Sequence, residues 1–190
     1  MAAGVGVGGV VITSAIGWHA SRKSAAAQVD AALAGVRAQM EGQRQETLWQ
    51  IRRDAYASFL GQIGAVRMAI AHMYATCCLA EEQLGGAGGA TADLTGAKES
   101  LTESFKALWF RESALRLSVD REEAERAEEL MKLARRAVDS VSDYAEAIWS
   151  HQDTGPSYRR TEAAMVELHT GVEEWASVAR LNLEPGRNRH

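Results

Sequence analysis

Residues 48–78 read "LWQIRRDAYASFLGQIGAVRMAIAHMYATCC". Leu48, Ile51, Ala55, Phe59, Ile63, Val66, Ile70, Met73 and Cys77 recur at steps of three and four, which is the helical period and not the alternation of a half-buried strand. The same spacing carries on to Leu84, so a helix is expected over 48–84. Of the 190 residues only Pro156 and Pro185 are proline, and alanine, glutamate, arginine and leucine dominate. Such a composition belongs to an all-α chain.

Downstream, "GGAGGAT" at 85–91 is the strongest break, because glycine ends helices and admits left-handed turns. Thr91 or Asp93 is suited to cap a second helix with Leu94, Ala97, Leu101, Phe105 and Leu108 on one stripe. Alternating Leu115, Leu117 and Val119 suggest a short extended connector. A third helix then starts from Ser118 or Asp120, with acids early and Arg135 and Arg136 later, as the helix dipole favours. Within it "DREEAERAEE" reads as a solvated face, with i,i+4 pairs such as Glu122 and Arg126. Pro156 fits the first turn of a fourth helix. Its seam of Tyr158, Thr161, Met165, Leu168, Val172, Trp175 and Ala179 has coiled-coil spacing. Four helices with short connections predict an antiparallel up-down four-helix bundle over 48–182, followed by a frayed tail at 183–190.

Upstream, Val29, Leu33, Val36 and Met40 continue the helical spacing, which weakens in "EGQRQET" before Leu48. Residues 24–47 are therefore expected to be a helical stalk, with Gly35 and Gly42 lowering its stability. Residues 2–18 carry no charged side chain, and Arg22 and Lys23 arrive together after Ser21. About 20 helical residues rise roughly 30 Å, the thickness of a bilayer's hydrocarbon core. Residues 1–23 are thus expected to be a single transmembrane helix with the bulk of the chain cytoplasmic, because the first positive charges follow the apolar run. Gly4 and Gly8, like Thr13 and Gly17, stand four apart and would let two anchor helices approach closely. The alternative is a soluble or secreted helical protein whose N-terminus is disordered or cleaved. Gly4, Gly6 and Gly9 also match the spacing of a dinucleotide-binding loop, but no strand precedes them, and the next acid, Asp30, lies in a helical run and not at the end of a second strand.

Nothing in the chain has the spacing of a catalytic constellation. None of the five histidines has glutamate three residues before it, so the paired ligands of a di-iron bundle are missing. His169 is followed by Thr170 and Gly171, which departs from the pattern of phosphotransfer bundles. His72, Cys77 and Cys78 share a helix without metal-ligand spacing, and both cysteines are expected as free thiols. Trp49, Trp109, Trp149 and Trp175 fall on or beside the seams and are expected in the core, while any left at the surface would mark an interface. With a net charge of −4 and no basic run, nucleic acid is not an expected partner.

The stretch "LWQIRRDAYASFL", residues 48–60, resembles the start of the helical body in uncharacterised, membrane-anchored helical proteins of GC-rich bacteria. In those proteins a Gly/Ala-rich apolar leader and an Ala/Gln/Arg stalk precede a similar Trp-x-x-Arg-Arg-x-Ala-Tyr segment. The resemblance implies a membrane-anchored helical architecture and no activity. The expectation is a protein that is not an enzyme, needs no cofactor or metal, and acts by binding another protein or further copies of itself at a membrane.

Overall fold

The structure, a computed structural model, describes residues 9–84 and 92–183, with side chains from residue 28 onward. Among the described residues there are four helices and no strand: α1 (Gly9–Leu84), α2 (Leu94–Arg116), α3 (Arg121–Trp149) and α4 (Gly155–Leu183). The chain divides into two compact units, residues 1–49 and 50–190.

In the first unit α1 is helical from Gly9, and it passes through "EGQRQET" without a break. Every side chain from 28 to 48 is exposed, Val29, Leu33, Val36 and Met40 included.

The second unit owns the core. Tyr56, Phe59, Ile63, Val66, Ile70, Met73 and Cys77 of α1 are buried together with Leu101, Leu108 and Leu115 of α2, Leu130, Val141 and Tyr144 of α3, and Leu168 and Trp175 of α4. Every one of these sets follows threes and fours or their sums, as expected of one helix face. α3 lines its share with Ala127, Ala134 and Ala137, whose small side chains let neighbouring helices come close. Gly171 in α4 answers them, since a Cβ there would stand 2.4 Å from a Leu133 methyl.

Chemistry that the sequence makes legible sets the helix ends. Asp93 accepts from the Gly96 amide at 2.8 Å and Asp120 from the Glu123 amide at 3.0 Å, each satisfying a donor that the first turn leaves free. At the end of α3, His151 takes the left-handed conformation at φ 51°. The Gln152 amide then donates to the Ala147 carbonyl at 2.9 Å, and that of His151 to the Ile148 carbonyl at 3.2 Å. This is the Schellman closure, in which glycine is the usual occupant because a Cβ is disfavoured there. His151→Gly is therefore expected to stabilise the protein by up to about 1 kcal/mol in denaturant melts. A loss of stability would show that the imidazole makes a contact outweighing the backbone strain.

Three expectations need correction. Leu48 and Ile51 are exposed, and the core begins at Tyr56. Arg52 already meets Glu123 in the first turn of α3, so the helix that would cover Ile51 starts too late to do so. Leu115 is no connector: it is buried in the last turn of α2, and only residues 117–120 link α2 to α3. Glu123, read as part of a solvated face, is 6% exposed. Glu122 keeps the expected surface pair with Arg126 at 2.5 Å.

Candidate interaction surfaces

Polar clusters tie the helices of the second unit together at several levels. Glu123 accepts from Arg52 Nη2 through one carboxylate oxygen and from Asn182 Nδ2 through the other, at 2.5 Å. Burial is the largest single influence on Arg52 and would lower its pKa, but the bond to Glu123 and the further interactions with Glu123 and Tyr56 together outweigh it, and the value is raised. The Tyr56 phenol beside them is pushed up to about 12, first by burial and then by the neighbouring Glu123 carboxylate, so it stays neutral well into the alkaline range. Farther along α1, Glu81 accepts from Tyr144 Oη at 2.6 Å and from the Thr154 hydroxyl. Glu162 accepts from the hydroxyls of Tyr74 at 3.2 Å and Tyr158 at 3.0 Å, and the rings of Tyr74, Tyr144 and Tyr158 pack against one another. These carboxylates are occupied in holding helices to each other.

The residues singled out for chemistry fall apart in space. Arg67 Nη2 lies 2.6 Å from His169 Nδ1, an exposed pair between α1 and α4. The His72 carbonyl accepts from the Thr76 hydroxyl at 2.8 Å. Both cysteines are free thiols, and burial pushes Cys77 up to about 12, which leaves it protonated and unreactive. Among the described residues no three His, Cys, Asp or Glu side chains converge in a way that could hold a metal ion.

Of the small residues expected to pack an anchor, Gly4 and Gly8 lie outside the described residues, and Thr13 and Gly17 fall in α1 but among the residues whose side chains are outside the description. The described part of α1 does contain a stretch apolar and long enough to cross a membrane, with mean hydropathy 1.4. As 44% of that stretch is buried and no residue from 28 to 55 is, it belongs to the core-forming part of the helix.

The tryptophans divide. Trp175 is buried between Tyr56 and Phe59, with ring centroids 5.2 and 5.1 Å away. Trp109 is 60% exposed and its neighbour Phe110 is 68% exposed, while Trp149 is exposed beneath Lys98, whose Nζ stands 5.0 Å from the ring centroid. The core expectation thus fails for Trp109 and Trp149. Residue 109 flanks the α2 stripe instead of lying on it, one position beyond the fully buried Leu108. Trp109 lines an open groove of about 540 Å³ between α2 and α3, together with Phe105, Met131, Arg116, Lys132 and Arg136. The cations already have acids of their own, Arg116 with Glu112 at 3.3 Å, Lys132 with Glu129 at 2.8 Å and Arg136 with Glu167 at 3.3 Å. Sequence spacing alone does not reveal this groove, because it depends on how α2 and α3 meet.

A second exposed apolar surface among the described residues is the α1 stripe of Val29, Leu33, Val36 and Met40, between 48% and 65% exposed. No protein-family model, curated protein or solved structure matches the chain.

Proposed function

We propose that the chain is a single-pass membrane protein whose residues 1–23 form the anchor, and whose cytoplasmic body is an antiparallel up-down-up-down four-helix bundle that works by binding protein, its own copies included. The bundle reading is supported by the order of the contacts. As α1 advances through Arg67, Tyr74 and Glu81, its partners on α4 and the loop before it retreat through His169, Glu162 and Thr154. Its partners on α3 advance from Glu123 to Tyr144. α2 runs against α3, since Lys98 meets Trp149 and Phe105 meets Arg135.

The observation that carries the membrane reading is the contrast along α1. From 28 to 48 it is exposed on every side, and from Tyr56 it alternates with the core. A helix with no core of its own connects things instead of enclosing a site, and here it leads back to the uncharged run before Arg22. The expected result of fractionation is that the full chain stays in membranes through an alkaline carbonate wash. A chain starting at Ser24 should be soluble and keep its helical circular dichroism. Full-length protein found wholly in the soluble fraction would overturn the anchor and favour the soluble or secreted alternative.

A further inference from the structure

We infer that Val29, Leu33, Val36 and Met40 are where two copies of the chain pair, side by side and in register, as a short parallel coiled coil. The four residues stand 4, 3 and 4 apart, the alternation of a and d positions in a heptad, and all are about half exposed or more. The polar and small residues fall elsewhere. Gly35 and Gly42 both fall at heptad position c, off the seam and with open space around each, and Ala31 and Ala38 take the outermost position f. In register, each layer meets its own kind: Val29 on Val29, Leu33 on Leu33, Val36 on Val36, Met40 on Met40. Beside the seam Ala32 faces Arg37 of the second copy and Gln39 faces Arg44, so no like charges oppose one another.

The occupant is a second copy because the seam is small. Two heptads bury less than the roughly 800 Å² per partner of an ordinary stable interface. A soluble partner helix arriving from bulk would therefore bind poorly. A copy anchored in the same membrane arrives at high effective concentration, already parallel and at the same depth. This parallel pairing rests on the anchoring proposed above.

The test is cysteine crosslinking of the full chain in membranes, on a Cys78→Ser background, Cys77 being fully buried. Val36→Cys on the seam should give roughly fivefold or more disulfide-linked dimer than Ala38→Cys on the outer face, and adding Leu33→Glu should lower it by a similar factor. Equal crosslinking at 36 and 38, or indifference to Leu33→Glu, would overturn the pairing. Sedimenting the same samples separates the two readings. Membrane-bound protein without the Val36→Cys crosslink sinks the seam and spares the anchor, whereas the crosslink in soluble protein upholds the seam and sinks the anchor.

Discussion

Trp175→Ala is expected to destabilise the protein by about 3–5 kcal/mol, the usual cost of deleting a large aromatic from a core. The indole is 7% exposed and bridges α4 to α1 through Tyr56 and Phe59. One edge borders an apolar groove of about 390 Å³ with Leu130, Leu133 and Val178, so neighbours have some room to relax and the lower half of that range is expected. Phe59, fully buried, should cost as much. Because the two rings touch edge to face, the double variant should fall short of additivity by about 0.5–1.5 kcal/mol. Denaturant melts measure all three. Near-silent single variants would mean that the aromatic contact is not part of the folded core.

The second large effect is at Glu123, where Glu123→Ala is expected to cost about 2–4 kcal/mol. Removing the carboxylate leaves the Arg52 guanidinium and the Asn182 amide without their shared acceptor. Arg52 Nε already has no partner, so this guanidinium depends on Glu123 more than a surface arginine would. Asp120 Oδ2, 3.7 Å from Arg52, and the 23% exposure of the arginine side chain keep the cost below the top of the range for a buried pair. Replacing both partners, as in Arg52→Leu with Glu123→Leu, should recover part of the loss, because no charge is then left buried alone. Chemical denaturation of the single and double variants checks this, and a Glu123→Ala melt like that of the unaltered protein would show the cluster to be solvated in solution. The neighbouring Glu122→Ala serves as the contrast. Its pair with Arg126 is a surface one and is worth at most about 0.5 kcal/mol.

Helical periodicity and the capping aspartates are local properties, and they were legible from the chain alone, while the glycine-rich stretch at 85–91 lies outside the described residues. The apolar steps from Phe59 to Cys77, the caps at Asp93 and Asp120 and the α4 seam through Leu168, Val172, Trp175 and Ala179 all appear in the structure where residue spacing puts them. Each depends only on neighbours within about four residues. Which faces are covered depends on where other helices begin, end and lean, and only the tertiary structure decided that. It buried Glu123 within an acidic run by setting it against Arg52 and Asn182. It left Ile51 open although it lies on the same spacing as Phe59, and turned Trp109 outward one position from Leu108. Periodicity says which side chains share a face, but burial needs a second surface to meet that face, and Val29, Leu33, Val36 and Met40 have the spacing of a core without any described neighbour to make one.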